Sequence, residues 1–256
     1  MIDFTVVVPV RNRYGSRLRN CLRSIELQTV DAEIFIADYG STTENHIKTM
    51  KLAPKSKSFH YLTDEPWSLS AARNIGLRRT DTEYAMVFDA DLIMEPCVLE
   101  SLLVLHKMDP NTYISTQVVL LDTGSIDIDA LELPRDYEQL KHAKATYRSE
   151  GWGGLGSAHR DWWYESRGFD ERMKWWGWED VDMWKRVGRA GLKRVRLSDM
   201  NMPETQVYHQ WHPNTQLEAL QRQNEEILNH IILNERLSKR TPTIKRNDEN
   251  WGKHGK

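Results

Sequence analysis

Cysteine is scarce in this sequence: Cys21 and Cys97 are the only two in 256 residues. Both fall in stretches expected to be helical, with no zinc-ligand spacing and no disulfide framework, so reduced and largely buried thiols are expected, as in a cytoplasmic protein. Net charge is also nearly absent, with 35 Lys and Arg against 37 Asp and Glu and a formal charge of -2. The global electrostatic signature of a nucleic-acid or anionic-membrane binder is therefore missing, although a local patch stays open. No apolar run approaches the length that crosses a bilayer. The N-terminus enters a strand by Phe4 without the basic flank and apolar core of a leader, so the mature chain is expected to be the whole chain. A glycine-rich, lysine-bearing phosphate loop is lacking after that strand. Arg11-Asn12-Arg13-Tyr14-Gly15 is a poor version of one, which disfavours a nucleotidyltransferase.

With 39% hydrophobic residues, the chain has enough apolar surface for one sizeable core. Residues 4–10 form a β-branched run ended by proline, and apolar residues at Leu18, Leu22 and Ile25 then recur at helical spacing. Strand residues 33–37, a helix near 44–51, a short strand at 59–62 and a helix opening at Ser68 follow. They lead to the central stretch, Tyr84-Ala85-Met86-Val87-Phe88-Asp89-Ala90-Asp91. This apolar run has no polar alternation, so it reads as a strand buried on both faces that ends in two carboxylates. Strands alternating with helices at this spacing specify βαβ units, a mostly parallel sheet and helices on both faces. Arg11, Asp38, Asp64, Asp89 and Asp91 would then emerge along one rim, at the carboxyl ends of the strands, where open α/β sheets bind ligands. Paired acids in that place suit a hard divalent cation held against a diphosphate.

A helix over about 96–108 and a strand over 113–119 come next, and residues 122–150 then lose periodicity. They form either a functional flap or an element hidden by weak patterning, with helix expected near 137–147. Residues 151–184 carry seven of the ten tryptophans, interleaved with Gly151, Gly153, Gly154, Gly156, Gly168 and Gly177. Bare backbone beside flat rings suits phosphate approach and stacking on a sugar, and most of the rings also serve as core. Glu179, Asp180 and Asp182 follow Trp176-Gly177-Trp178 at an apparent helix start, where acids complement the helix dipole. That helix stops at Gly191, and residues 193–197 read as a late strand. His209 and His212 add imidazole donors to the carboxylate pair. Leu217, Leu220, Ile227, Leu228, Ile231, Ile232 and Leu237 trace an amphipathic helix that packs on the domain or on a second subunit, and the polar tail beyond is expected to fray.

These residues resemble the metal-dependent GT-A nucleotide-sugar glycosyltransferases. The first half is similar to bacterial family 2 members in Val6-Val7-Val8-Pro9, Asp38-Tyr39-Gly40-Ser41, Leu69-Ser70-Ala71-Ala72-Arg73-Asn74-Ile75-Gly76 and Phe88-Asp89-Ala90-Asp91. The second half resembles the C-terminal module of β-1,4-galactosyltransferases and chondroitin polymerases in Gly154, Gly168-Phe169, Trp176-Gly177, Glu179-Asp180 and His209. The resemblance omits residues 122–150 and everything after Pro213. It implies a single α/β domain with a GT-A, Rossmann-like, mostly parallel sheet over residues 1–213. Residues 1–110 would be its nucleotide half and 111–213 its acceptor and catalytic half, followed by a C-terminal helix at 214–240 and a polar tail at 241–256.

The same resemblance implies roles. Pro9, Arg11 and Asp38 would frame a uridine, with Arg73 near the base or phosphates. Asp91, with Asp89, and His209 would hold Mn²⁺ or Mg²⁺ on the diphosphate, His212 being a further candidate ligand. Gly154 would admit the donor, Trp176 would shape the sugar pocket, Glu179 would hydrogen-bond a sugar and Asp180 would be the base. Two residues depart from the pattern: Tyr39 stands where bacterial members carry a second acid, and Trp178 where a small residue is usual.

The chemistry has its own logic. A cation neutralises the leaving diphosphate, and a carboxylate on the opposite side of the sugar deprotonates the attacking hydroxyl. Such in-line attack inverts the anomeric centre. The expectation is an inverting transferase that uses UDP-galactose, UDP-N-acetylgalactosamine or UDP-glucose. Its acceptor would be the hydroxyl of a glycan, a lipid-linked glycan, a small molecule or a modified nucleic-acid base. A retaining transferase is the near alternative. A non-catalytic carbohydrate-binding protein would use the tryptophans but would not need Asp89, Asp91, Asp180 and His209 together.

Overall fold

The β-branched run that opens the chain is buried at every position, which requires neighbours on both faces and both edges. It is β1 (Phe4–Val10) of a computed structural model that describes residues 2–147, 153–213, 216–237 and 243–255. The chain continues through α1 (Ser16–Glu26), β2 (Glu33–Tyr39), α2 (Thr43–Leu52), β3 (Lys57–Tyr61), α3 (Leu69–Leu77), β4 (Tyr84–Phe88) and β5 (Leu92–Met94). Then come α4 (Val98–Met108), β6 (Thr112–Ser115), β7 (Val119–Leu121), α5 (Tyr137–His142), β8 (Ala145–Tyr147), β9 (Leu155–His159) and α6 (Arg160–Ser166). The remaining elements are α7 (Glu179–Arg189), β10 (Lys193–Arg196), β11 (Val207–His209) and α8 (Gln216–Leu237).

Seven strands form the central sheet in the order β10-β6-β9-β4-β1-β2-β3. Every pairing is parallel except those of β9, which runs antiparallel to both β4 and β6. The expected mixed α/β layering is thus present, with one inverted strand that the sequence pattern hides. Leu155-Gly156-Ser157-Ala158-His159 has little intrinsic strand preference. Its small residues are needed because a side chain on Gly156 would meet the Tyr113 hydroxyl at 2.3 Å.

Side chains alternate across the sheet. Val6, Val8 and Val10 pack with Leu18, Cys21 and Leu22 of α1 and with Val98, Leu99 and Leu102 of α4 on one face. Val7 packs with Ala71, Ala72 and Ile75 of α3, Trp163 of α6 and Met183 and Val187 of α7 on the other. Each such fully buried Val or Leu contributes roughly 1.5–3 kcal/mol. α3 lies unusually close to β1, since a Cβ on Gly76 would sit 2.2 Å from Val7 Cγ1. Ser68 caps this helix by accepting from the Ala71 N–H at 3.2 Å.

A second sheet has the order β5-β11-β7-β8, and its first strand follows the carboxyl end of β4. It supplies what the weakly patterned stretch concealed. Residues 122–147 carry α5 and β8, and Leu131, Leu133, Tyr137 and Leu140 pack with Ile93, Val119, Leu121 and Tyr208 in a third core. The strand expected over 113–119 is two strands, β6 and β7, belonging to different sheets. Gly151 and Trp152 lie outside the described residues, as do the side chains of Leu217, Leu220 and Leu237 in α8.

The expectation of a frayed tail is corrected for residues 243–255. Trp251 is 2% exposed and joins the core beneath α3, and Arg246 is 6% exposed. Polar composition misled here because the segment is held by hydrogen bonds and one buried ring, not by an apolar stripe.

Candidate active site

The carboxyl ends of β1 and β4, the antiparallel pair β5 and β11 and the start of α7 surround one cleft of about 890 Å³. Asp89 and Asp91 follow β4 directly, and β11 pairs antiparallel with β5 so that His209 lies opposite Leu92. Sheet pairing therefore carries a late histidine to an early aspartate. His212 Nε2 is 3.4 Å and His209 Nε2 3.8 Å from Asp91 Oδ2. Ligand atoms of the three residues lie within 4.8 Å of one another. Burial alone would raise the Asp91 carboxyl, but His212, His209 and Arg13 hold it down at about 2.

Asp89 faces the other way. Its Oδ1 accepts from Arg73 Nη2 at 2.9 Å, and burial, opposed by Arg73 and reinforced by Asp91, pushes its carboxyl up to about 6. Arg73 itself has no exposed surface. Its Nη1 donates to Asp180 Oδ1 at 2.8 Å and reaches Glu179 Oε1 at 3.5 Å. One guanidinium thus spans the cleft floor between the end of β4 and the start of α7. Burial would lower its basicity, but Asp180, Asp89 and Glu179 outweigh that and keep it charged. Glu179 is 3% exposed, accepts from the Gly177 N–H and is pushed up to about 8 by burial and by Asp180 beside it.

Glycine and tryptophan share the wall. A side chain on Gly153 would meet Asp180 Oδ2 at 2.3 Å, and one on Gly154 would meet Leu92 Cδ1 at 2.9 Å. Gly154 also has φ +90° and its carbonyl accepts from the Asp89 N–H at 3.0 Å. Trp175 and Trp176 line the cleft with Trp67. Trp175 has φ +56° and Trp178 φ +73°, conformations costly for bulky residues. They persist because Trp175 exchanges backbone hydrogen bonds with Trp67 and Leu69. Trp178 points away from the wall and stacks on His230 of α8, with ring centroids 4.3 Å apart.

Of the residues expected at the site, Pro9, Arg11, Asp89, Asp91, Gly154, Trp176, Glu179, Asp180, His209 and His212 line the cleft, as does Asp64 of the expected rim. Asp38 and Arg73 do not. Asp38 is fully buried, accepting from the Ser41 N–H at 3.1 Å and pairing with His46 Nδ1 at 2.8 Å. It shapes the turn after β2 instead of facing the cleft. Arg73 lies under the floor, fully buried and held by carboxylates. Arg13, Arg17, Glu65, Trp67, Gly153 and Trp175 also line the cleft and went unassigned in the sequence. Glu65 carries one legible hint, because Tyr39 at the position of the missing acid donates its hydroxyl to Glu65 Oε2 at 2.7 Å.

A profile for "Glycosyl transferase family 2" matches residues 5–167. The chain belongs to that family. Members of that family are glycosyltransferases, and the cleft is the candidate site. A second profile, the N-terminal domain of galactosyltransferase, matches residues 136–210, which include α7 and His209. The transferase is 35% identical over 99 residues to glycosyltransferase GlyA of Streptococcus pneumoniae serotype 4, an alignment covering 38% of this chain and 14% of that protein. Among solved structures it is similar to GalNAc-T7 with UDP, GalNAc and Mn²⁺, at TM-score 0.66 and 18% identity, over 92% of this chain and 48% of that one. That likeness carries the fold. The transferase spans about half or less of the length of these relatives. Among its described residues no helix is long and apolar enough to cross a membrane.

Proposed function

We propose that the transferase moves a hexose or N-acetylhexosamine from a UDP-sugar to an acceptor hydroxyl, with inversion and with a divalent cation. The observation that carries this reading is the division of the cleft. Asp91, His209 and His212 cluster on one side, while Asp180 stands at the start of α7, across Arg73 from Asp89. Carboxylate oxygen with two imidazole nitrogens suits Mn²⁺, and Mg²⁺ less well, since Mg²⁺ prefers oxygen. Asp91, His209 and His212, with Asp89 alongside, would hold the ion, which when bound supplies positive charge to a leaving diphosphate.

The chain's own groups do the rest. Pro9 and Arg11 border the nucleotide end, where Glu65 supplies the acid absent at Tyr39. Gly154 leaves room for the donor, and Trp176 walls the sugar. Glu179, raised toward neutrality, donates a hydrogen bond to a sugar hydroxyl. Asp180 takes the proton of the acceptor hydroxyl as it attacks. The three tryptophans along the wall favour a carbohydrate acceptor over a nucleic acid, because ring faces stack on pyranose C–H groups. Free Cys21 and Cys97 support a reducing, cytoplasmic location. α8, which exposes Ile227, Leu228 and Ile231, is the surface by which a homodimer would form.

A retaining reaction is the second reading, favoured by the ion pair that ties Asp180 to Arg73 and weakens it as a base. The test is UDP release from a panel of UDP-sugars with Mn²⁺ or EDTA, with product configuration read by NMR. A β-linked product from an α-linked donor, lost in Asp180→Asn while UDP binding persists, supports inversion. An α-linked product overturns the role of Asp180 and establishes retention.

A further inference from the structure

The C-terminal segment 243–255 touches both helices whose side chains meet at the cleft floor. On α7, Arg246 grips Asp182, two residues beyond Asp180. Its Nη2 donates to Asp182 Oδ1 at 2.7 Å, and its Nε to the same oxygen at 2.9 Å. Asp182 is 1% exposed and also accepts from Arg186 Nε at 2.8 Å. Arg246 Nη1 returns to the Thr243 carbonyl at 2.7 Å, and Arg186 Nη1 reaches the Ile244 carbonyl at 3.1 Å. Helix and segment are thus stitched in both directions.

On α3, which carries Arg73, the two backbones approach closely and side chains supply the hydrogen bonds. Gly252 has φ +65°, and a Cβ there would lie 2.4 Å from the Asn74 carbonyl oxygen. Its N–H donates to Glu171 Oε1 at 2.8 Å, the same oxygen that accepts from Asn74 Nδ2 at 2.9 Å. Arg79 of the following turn donates to the Gly252 carbonyl at 2.7 Å. Between the two anchors, Asn247 donates to the carbonyls of Arg167 and Phe169, the loop that binds Asn74.

We propose that this segment is a strap that sets the distance between α3 and α7, with Arg246 as a positioning residue for Asp180. The proposal rests on the reading of Asp180 as the base. Apart from its ion pair with Arg73, Asp180 is held by the first turn of α7, and Trp178 before that turn is in a left-handed conformation, so the entry to the helix is poorly self-supporting. A bidentate guanidinium on Asp182 of the same turn fixes the helix start in rotation and height, which a hydrophobic contact alone does loosely. Sub-ångström placement of a base relative to its substrate decides rate far more than it decides stability.

The variants Arg246→Met and Arg246→Lys test this in the full chain. Loss of Arg246 leaves Asp182 paired with Arg186, so the buried carboxylate keeps a counter-charge. UDP release with the best donor is expected to show kcat lowered by about 10- to 100-fold in Arg246→Met, with donor KM and UDP affinity unchanged. Arg246→Lys should recover part of the loss, since lysine restores the charge without the fork. A parental kcat in Arg246→Met overturns the proposal, and so does a loss of kcat that only follows the folded fraction measured by circular dichroism. Should Arg246→Met fail to fold, Arg246→Lys decides alone: a parental thermal midpoint with lowered kcat supports the strap, and a parental kcat removes it. Asp180→Asn is run beside them. Full activity in that variant removes the base reading, whereas its inactivity with a fully active Arg246→Met removes only the strap.

Discussion

Arg73 Nη1 lies 2.8 Å from Asp180 Oδ1 while the same side chain, wholly buried, holds Asp89 at 2.9 Å. A single residue of α3 therefore links the acid beside the Asp91, His209 and His212 cluster to the acid at the start of α7. Replacing it with methionine leaves Asp89, Glu179 and Asp180 facing one another without a counter-charge. Breaking a buried pair from one side costs about 3–5 kcal/mol. Arg73→Met is expected to lower the thermal midpoint by many degrees and turnover by more than about 100-fold, since electrostatic order in the site is lost with it. Thermal unfolding followed by circular dichroism, with UDP release at a temperature where the variant is folded, checks both.

Asp91→Asn and His209→Ala each remove one donor from the Asp91, His209 and His212 set. Mn²⁺-stimulated turnover should fall by about 100-fold or more in the first and by a smaller factor in the second, because His212 remains near Asp91. EDTA should reproduce the loss in the parent, and Mn²⁺ should restore it. Calorimetric titration of Mn²⁺ in the presence of UDP is the direct measurement; unchanged affinity in Asp91→Asn would place the ion elsewhere.

Glu179 gives a pH signature of stability. Its folded-state carboxyl is raised to about 8 by burial and by Asp180, above the ordinary 4.5. The folded protein therefore holds this proton more tightly than the unfolded chain. The stabilisation is full below the ordinary value and is lost as pH rises from there through about 8. The limiting slope is about 1.4 kcal/mol per pH unit for one proton. Glu179→Gln mimics the protonated form and should flatten that decline, making the variant more stable than the parent at the alkaline end. Denaturant unfolding at a series of pH values reads the difference; parallel curves would mean that Glu179 ionises normally.

Gly76→Ala tests how closely α3 must approach β1. The added methyl would sit 2.2 Å from Val7 Cγ1, so helix or strand has to move. Overpacking of this kind costs typically about 1–3 kcal/mol. The displaced helix carries Arg73, so turnover should fall together with the denaturation midpoint, whereas Gly15→Ala, where nothing lies within 4 Å, should leave both close to parental.

Much of this arrangement could be read from the chain itself. The apolar run ending in Asp89 and Asp91 specified both a buried strand and the acids at its ligand-binding end, because burial and chain direction are local properties. Ser68 announced α3 by its capping chemistry, and the acids before Met183 announced α7. The sequence alone determined the clearly patterned elements, β1 to β4 with α1 to α3 among them, and which residue types gather at strand ends. Long-range choices were settled elsewhere. β9 inserts antiparallel between β4 and β6 on the strength of small residues that give no periodic signal. Asp38 turned inward to His46 of the next helix, and Arg73 became the buried link between opposite sides of the cleft, because Asp180, 107 residues along the chain, came within reach only after the sheet and its flanking helices packed. Arg246 belongs to the same class. Its polar neighbourhood reads as solvated tail, and only tertiary packing supplies Asp182, without which the cost of burying a guanidinium would keep the segment in water.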